Sequence, residues 1–450
     1  MSSLSLEPDW LLTESGWRSG WQIDVRDGLV AGLGPARGGA ERLVGQALLP
    51  AFVNSHSHAF QRTIRGRTEY RHPDRPSDDF WSWRELMYKA AMRLNPDQLE
   101  QVARLLYLEM AEAGITTVGE FHYQHHQPDG TRYENPDELA LRLKAAADWA
   151  GVGIVLLRCA YGRSGYQVDP NPLQIRFLDR SWEESCEAVL RLRKAGLEVG
   201  LAPHSVRAVP LDWLPPLAAF AREHGLPLHM HVSEQVKEIE QCEAETGLRP
   251  VEYLAEKGIL GPDFTAVHAI HLGAAEMTAL GSSHVCSCPT TERNLGDGVV
   301  PARQLRRAGT RFTFGTDSQC QIDPLEDARQ LDYHLRLVEQ QRAVLDHPPG
   351  TMESWLWESL TAGGASSLMQ PCGRLQAGLR ADMLSFDLNH PTLVCDSEEW
   401  LLAQLLWSAP RESLAQVWRA GRPLLEAGKH AGRAEATAGY RRVLKELADG

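Results

Sequence analysis

The stretch that decides the fold is Asn54-Ser55-His56-Ser57-His58-Ala59-Phe60-Gln61, which follows the apolar run from Ala47 to Val53. The apolar run predicts a buried strand, and side chains two residues apart on a strand point to the same side. We therefore expect His56 and His58 to lie together, where two neutral imidazoles can bind one zinc or a related ion. Two surface histidines in a polar turn are the alternative, and the rest of the chain must decide between them.

Downstream of this strand, strand-like segments alternate with segments that have a helical period of apolar residues. Glycines such as Gly114 and Gly151 follow the helical segments and predict their ends. Regular alternation of strand and helix implies a parallel sheet, and eight such units suggest a (β/α)₈ barrel of the TIM type. The predicted strands are the segment ending at His56 and residues 115–123, 153–160, 198–204, 226–231, 265–270, 283–289 and 311–317.

Both ends of the chain predict β-structure outside this barrel. The segments 21–25 and 29–34 flank Asp27-Gly28, and Asp-Gly between apolar alternations is a strong signal for a hairpin. Residues 373–387 and 415–420 return to a strand-like pattern. We therefore predict an α/β fold with a barrel domain at 49–369 and a small flanking β-sandwich. Residues 1–48 and 370–450 would form this sandwich, together with a C-terminal helix from about residue 430.

The composition is that of a soluble globular protein, with 43% apolar and 23% charged residues among 450. The chain has 46 basic and 59 acidic residues, and its net charge of −13 argues against a nucleic-acid surface. No apolar run reaches the roughly 20 residues of a membrane span, and the N-terminus lacks the features of a secretory signal. Eight scattered cysteines suggest reduced thiols. A cytoplasmic protein with neither nucleic-acid nor membrane partners is expected.

Residues capable of metal binding or acid–base chemistry recur where the predicted strands end. Barrel enzymes place their active sites at this edge of the sheet. A single strand-end histidine is weak support, but several at matching positions together predict a metal site. These residues are His56, His58, His122, Tyr123, His204, His231, Glu234, His268 and Asp317.

The order of these residues along the strands resembles the amidohydrolase superfamily. The resemblance rests on 50–58, His231-Val232-Ser233-Glu234, 267–272, 315–318, 288–290 and 378–382, and it covers nearly the whole chain. It implies one divalent metal ion per subunit, with zinc expected, because strand four offers no lysine for a carbamate bridge. It also implies a homodimer by family analogy. The implied ligands are His56, His58, His231 and Asp317, with His229 a less favoured ligand on the same face as His231.

The resemblance also implies catalytic roles. Glu234 would carry a proton from water to the departing nitrogen, as a carboxyl near both atoms can do. Asp317 could also accept the water's proton, and His268 would orient the water or the developing tetrahedral centre. His271 is interpreted as structural.

Within the deaminase branch, the chain is most similar to N-formimidoyl-L-glutamate deiminases, through 60–62, 80–85, 119–126 and 202–207. This implies hydrolysis of that linear amidine to N-formyl-L-glutamate and ammonia, a step of histidine degradation. Because guanidinium groups bind carboxylates bidentately, Arg84 and Arg207 are predicted to hold the two substrate carboxylates, away from the metal. Gln61, Tyr123 and His204 are predicted to hydrogen-bond the substrate.

Three alternatives stay open. The protein could deaminate a cyclic amidine such as a purine, pterin or triazine, although such a pocket would favour stacking over two arginines. It could be a barrel without catalysis that serves in an assembly, although the complete ligand set argues against this. His122, His125 and His126 could form a second cluster, but we expect them in loops around the pocket mouth.

Overall fold

The computed structural model describes residues 3–71, 78–395, 397–426 and 428–449. Its strands form two eight-stranded sheets. In chain order the strands are β1 (Ser3–Thr13), β2 (Gly16–Arg18), β3 (Trp21–Arg26), β4 (Leu29–Pro35), β5 (Glu41–Pro50), β6 (Phe52–Ser57), β7 (Ile115–His122), β8 (Gly153–Ala160), β9 (Glu198–Pro203), β10 (Leu228–Val232), β11 (Phe264–His268), β12 (His284–Ser287), β13 (Arg311–Phe314), β14 (Met383–Asp387), β15 (Leu414–Arg419) and β16 (Arg422–Pro423).

Strands β6 to β13 form the parallel barrel, and each strand pairs with the next one along the chain. The barrel closes where Ser57, at the end of β6, bridges to Asp317. The backbone N–H of Asp317 donates to the carbonyl of His56 at 3.0 Å. The predicted (β/α)₈ architecture is confirmed, and the closing contact joins the two strands that carry predicted metal ligands.

The second sheet combines both ends of the chain in the order β16-β15-β14-β5-β1-β3-β4, with β2 paired to β1. β5 continues through Ala51 directly into β6, so the small sheet leads into the first barrel strand. The small sheet has an apolar cluster of its own, which includes Leu6, Ile23, Met383 and Trp418. The predicted pairing of the N- and C-terminal segments is therefore present.

Helices surround the barrel and pack their apolar sides against it. α2 shows how local sequence sets such an element, because the side chain of Asn95 accepts the backbone N–H of Gln98 and Pro96 occupies the first turn. The helices are α1 (Phe80–Arg93), α2 (Pro96–Ala111), α3 (Glu138–Ala150), α4 (Trp182–Lys194), α5 (Leu214–Glu223), α6 (Val236–Thr246), α7 (Pro250–Glu256), α8 (Ala274–Ala279), α9 (Pro289–Leu295), α10 (Ala302–Ala308), α11 (Pro324–Glu339), α12 (Met352–Glu358), α13 (Gly364–Ser367), α14 (Glu398–Ser408) and α15 (Arg433–Asp449).

Three elements differ from the sequence-based expectations. The helical period of apolar residues after Asp317 predicts helices near 324–345 and 351–369. The first ends at Glu339, because Gln340 turns into the left-handed region with a φ of 54°, and the second is divided by a π-helical turn at Ser359–Gly363. α14 lies within the C-terminal segment predicted to form the β unit, and its apolar residues pack against the main core.

All eight cysteines are unpaired, as expected. In the part of the chain that the structure describes, no helix has the length and apolar character needed to cross a membrane.

Candidate metal centre and active site

The ends of three barrel strands, β6, β10 and β13, bring three histidines and one aspartate together. We call His56, His58, His231 and Asp317 the ligand cluster; all four are buried, and their ligand atoms lie within 4.8 Å of one another. The Nε2 atom of His56 lies 3.1 Å from Nε2 of His58 and 3.2 Å from Nε2 of His231. Oδ1 of Asp317 lies 3.3 Å from Nε2 of both His56 and His58.

These contacts cannot all be ordinary hydrogen bonds. Nδ1 of His58 lies 2.9 Å from the carbonyl of Phe121, and Nδ1 of His231 lies 3.1 Å from the carbonyl of His204. A carbonyl only accepts, so each Nδ1 carries the proton and each Nε2 presents a bare lone pair. The lone pairs therefore converge on one point, as they would around a cation.

The spacing of the cluster fits one shared ion. With metal–nitrogen distances of about 2.0–2.1 Å, neighbouring ligand atoms around an ion are separated by roughly 3 Å. Four of the six separations between the ligand atoms are 3.1 to 3.3 Å, and all six lie within 4.8 Å. Three nitrogens and one carboxylate thus form a donor set that can hold a divalent metal ion.

Burial and charge set the protonation of the cluster. Burial lowers the pKa of His56 to about 3, despite the nearby Asp317 carboxylate, and also lowers the pKa values of His58 and His231. Burial opposes ionisation of Asp317, but the surrounding histidines outweigh it and hold its pKa well below the usual range. The neutral imidazoles and the ionised carboxylate are the forms that bind metals.

His268 has the opposite electrostatic environment. Its Nε2 lies 3.7 Å from Oε1 of Glu234 and 3.8 Å from Oδ2 of Asp317, and its Nδ1 lies 3.3 Å from Oε1 of Glu292. Burial lowers the pKa of His268, but these three carboxylates together outweigh burial and raise it to about 10. The three carboxylates therefore favour the protonated form of His268 beside the ligand cluster.

Three site residues lie in the left-handed region of backbone conformation, which non-glycine residues seldom adopt. The φ angles are 53° for Ser233, 72° for His268 and 46° for Asp317. Each lies at or just after the end of a barrel strand, where the chain turns toward the pocket. Such strain persists only when surrounding contacts hold it, so these turns are part of how the site is shaped.

A pocket opens next to the ligand cluster, and its lining combines apolar and aromatic side chains with a few polar groups, as is typical of small-molecule sites. All five predicted substrate residues line it, together with Glu234 and His268. The lining residues are His58, Gln61, Phe80, Trp83, Arg84, Met87, Tyr88, Tyr123, Tyr161, Ser164, His204, Ser205, Arg207, Ala208, His231, Glu234, His268, Leu295 and Asp317.

The three uncharged residues that are predicted to bind substrate, Gln61, Tyr123 and His204, lie together in the lining of the pocket. Nε2 of Gln61 donates to the hydroxyl of Tyr123 at 3.1 Å, while Oε1 of Gln61 is buried without a hydrogen-bond partner. Nδ1 of His204 lies 3.0 Å from Oγ of Ser205. Burial, then the charge of Arg207, lowers the pKa of His204 well below its usual value. Gln61, Tyr123 and His204 can therefore form hydrogen bonds with a polar ligand while remaining uncharged.

The two arginines occupy different environments. The guanidinium of Arg84 is half-buried and lies 4.5 Å from the ring centre of Trp81 and 5.4 Å from that of Tyr88. Arg207 is buried, and its Nη2 donates to Oε2 of Glu234 at 2.6 Å. This contact with Glu234 was not expected from the sequence, which suggested that both arginines lie away from the metal.

Sequence reasoning missed three buried glutamates that support the site. Glu120 accepts the Ser57 hydroxyl at 2.7 Å and the Ala59 backbone N–H at 2.6 Å, on either side of His58. Glu292 faces His268, and Glu238 faces Arg207. Glu120 belonged to a segment already singled out, but none of the three has a local sequence signal of its role.

His122, His125 and His126, which we call the second histidine group, are expected in loops around the pocket mouth. His125 and His126 do lie in the loop after β7, whereas His122 is the last residue of that strand. None of the three lines the pocket. Nε2 of His125 lies 3.0 Å from the carbonyl of Cys159, and Nε2 of His126 lies 2.9 Å from that of Leu178. His125 and His126 instead attach the loop after β7 by hydrogen bonds to strand β8 and to the loop that contains Leu178. His229, the less favoured ligand, points to the carbonyl of Ser367 at 2.8 Å.

Similarity to known proteins agrees with this geometry. The chain is 39% identical to the formimidoylglutamate deiminase of Pseudomonas aeruginosa, over 97% of this chain and 98% of that protein. It is 27% identical to a 5-methylthioadenosine/S-adenosylhomocysteine deaminase of Halobacterium salinarum, over 83% of this chain and 81% of that one.

Solved structures show the same architecture. The crystal structure of an amidohydrolase from Brucella melitensis aligns with a TM-score of 0.91 at 35% identity, covering 99% of this chain and 100% of that one. An adenosine deaminase from Xanthomonas campestris with bound zinc shares the fold, with a TM-score of 0.83 at 20% identity over 99% of both chains. Residues 47–424 match the amidohydrolase family, and the chain therefore belongs to that family.

Proposed function

We propose that this protein hydrolyses N-formimidoyl-L-glutamate to N-formyl-L-glutamate and ammonia. One observation carries the proposal: two arginines line the same pocket as the ligand cluster. Arg84 and Arg207 suit a ligand with two carboxylates, while the cluster suits hydrolysis at the other end. The Pseudomonas aeruginosa relative, a formimidoylglutamate deiminase, supports this assignment.

Arg84 is the better placed of the two to receive a carboxylate directly. Among the described residues, no carboxylate lies within ion-pair distance of it, and its guanidinium lies over the aromatic faces of Trp81 and Tyr88. Stacking holds the planar guanidinium in place while leaving its N–H groups available. A purine or pterin would gain from these aromatic rings but would leave the charge of Arg84 without a partner.

The chemistry follows from the groups around the cluster. A divalent ion held by the four ligands would supply the Lewis acidity that activates water near neutral pH. Glu234 accepts a proton from the attacking water and delivers it to the amidine nitrogen, which departs as ammonia when the C–N bond breaks. The His268 cation stabilises the negative charge that develops on oxygen, and Asp317 is a second proton acceptor. Oε1 of Gln61 accepts an N–H of the amidine.

Four further features belong to this proposal. The bound ion is zinc, which suits three imidazoles and a carboxylate. The protein works in the cytoplasm as a homodimer, and residues 1–48 with 370–450 behave as one domain beside the 49–369 barrel. The shared sheet of the two chain ends supports the domain assignment. Metal analysis of the purified protein and its sedimentation behaviour test the ion and the dimer.

Ammonia release tests the reaction. We expect the zinc-loaded protein to have its highest kcat/KM on N-formimidoyl-L-glutamate, compared with guanine and adenosine. N-formyl-L-glutamate, which has the same carboxylates but no amidine, is the matched control and should release no ammonia. A higher kcat/KM on a cyclic amidine would contradict the proposal and favour the alternative substrate class.

A further inference from the structure

Arg207 is shared by two buried glutamates. Its Nη2 donates to Oε2 of Glu234 at 2.6 Å, and its Nε lies 3.2 Å from Oε2 of Glu238. The side chains of Arg207 and Glu234 are each 6% exposed, and that of Glu238 is fully buried. One guanidinium therefore contacts two carboxyl groups in a site nearly closed to water.

The two glutamates differ in how firmly they are held. Oε1 of Glu238 accepts the backbone N–H of Ser233 at 2.8 Å, and the side chain does not line the pocket. The Ser233 carbonyl accepts the N–H groups of Ile270 and His271 at 3.2 and 2.9 Å. These bonds fix the left-handed turn just before Glu234. The side chain of Glu234 faces the pocket, so it is the part of this assembly that can turn.

A substrate carboxylate at Arg207 would conflict with this arrangement. It would be the third carboxyl group around one guanidinium, and a substrate carboxylate beside the Glu234 carboxylate would repel it strongly where water is excluded. The substrate must therefore displace one of the two glutamates from Arg207. Glu238 is tied to helix α6 and to the Ser233 backbone, which leaves Glu234 as the group that moves.

We propose that Arg207 exchanges Glu234 for a substrate carboxylate, and that Glu238 is the positioning residue that holds Arg207 during this exchange. The exchange rests on the proposed function, because it requires a substrate with a carboxylate. Its consequence is that substrate binding releases the group that carries the proton. The carboxylate then contributes to turnover as well as to affinity, and it selects against amidines that lack one.

The exchange can be tested by supplying the amidine and the carboxylates of the substrate as two separate molecules. N-methylformamidine carries the reacting amidine without a carboxylate, and glutarate can supply carboxylates separately. With the zinc-loaded protein, we expect slow ammonia release from N-methylformamidine that rises at least ten-fold with saturating glutarate. Sodium chloride at matched ionic strength should have no such effect. Inhibition by glutarate, or no change, would overturn the exchange.

This outcome is separate from that of the proposed function. A protein that hydrolyses N-formimidoyl-L-glutamate but shows no activation by glutarate retains its function and disproves the exchange. A protein with no activity on N-formimidoyl-L-glutamate disproves the function, whatever glutarate does.

Glu238→Gln tests the positioning role, since glutamine can still accept the Ser233 N–H through its amide oxygen but has no charge. Without that charge, Arg207 should pair more strongly with Glu234 and resist exchange. We expect KM for N-formimidoyl-L-glutamate to rise about ten-fold with a smaller change in kcat, and half-maximal activation to require more glutarate. Glu240→Gln, an exposed position on the same helix, is the matched control and should leave both parameters unchanged. An equal loss in kcat with unchanged KM would disprove the positioning role.

Discussion

The ligand cluster and the second histidine group each contain three histidines at or near barrel strand ends, but their ring nitrogens point in different directions. In the ligand cluster, Nε2 of His56 lies 3.1 Å from that of His58 and 3.2 Å from that of His231. In the second group, Nε2 of His125 and Nε2 of His126 each face a backbone carbonyl. The ligand cluster therefore presents nitrogen lone pairs that can bind a cation. The second histidine group instead donates its N–H groups to backbone carbonyls and stabilises loops.

Burial and pKa do not distinguish the two groups. Burial lowers the pKa of His56 in the first group and of His122 in the second, each to about 3. What differs is the charged neighbour. Asp317 contacts the ligand cluster, whereas Arg158 and Arg176 lower the pKa of His122 further. Both groups contain neutral, buried histidines. Among the residues that the structure describes, only the ligand cluster has a carboxylate, that of Asp317, that can complete a metal-binding donor set.

The largest expected effect comes from breaking the donor set. Asp317→Asn should lower bound zinc well below one per chain and reduce kcat/KM by at least about 10³-fold, equivalent to about 4 kcal/mol. His125→Asn, in the second group, should retain the metal. Elemental analysis and ammonia release measure both. Loss of zinc in His125→Asn, with full occupancy in Asp317→Asn, would reverse the assignment of the two groups.

Breaking the ion pair beside the second group should affect folding rather than metal binding. Arg158 binds Asp179 through Nη1 at 3.0 Å and Nη2 at 2.6 Å, with both side chains buried. Arg158→Met leaves an uncompensated buried carboxylate, so the free energy of unfolding should fall by about 3–5 kcal/mol. Denaturant unfolding measures this loss. A variant of unchanged stability would show that Asp179 is neutralised in another way.

Arg158 lies beside the second histidine group, whereas Arg84 lines the pocket next to the ligand cluster, so its loss should affect activity rather than folding. Arg84→Met should lower kcat/KM for N-formimidoyl-L-glutamate about 100-fold, from the loss of roughly 3 kcal/mol of charge-assisted hydrogen bonding. Arg191→Met removes a half-exposed arginine that pairs with Asp137 on the outside of the barrel, and it should leave kcat/KM unchanged. If both variants have wild-type kinetics, Arg84 does not bind substrate.

The smallest expected effect is on acid stability. Because burial lowers the pKa of His122 to about 3 in the folded protein, against about 6.5 for an exposed imidazole, the unfolded chain binds more protons between these values. Stability is therefore lost as pH falls below about 6.5, by on the order of 2 kcal/mol between pH 7 and pH 5. His122→Asn should remove this part of the pH dependence. Unfolding free energies of both proteins at several pH values measure the difference, and identical slopes would contradict it.

The sequence by itself determined the barrel, and its resemblance to the amidohydrolase superfamily selected the four residues of the ligand cluster. The alternation of apolar strands and amphipathic helices is a local pattern, and parallel strands bring their C-terminal ends to one edge. His56, His58, His231 and Asp317 could therefore be placed together without coordinates. Position at a strand end did not by itself single out these four residues, because His122 also ends a barrel strand; the family resemblance made the selection.

Only the tertiary structure decided which histidines converge and which carboxylates hold the catalytic groups. The direction of each imidazole depends on a carbonyl from another element, such as Phe121 for His58. The contacts of Arg207 with Glu234 and Glu238 join residues from different loops and helices. Contacts between side chains that are far apart in the sequence produce no periodic pattern from which they could be predicted. They depend on rotamers and packing that are fixed only when the barrel closes.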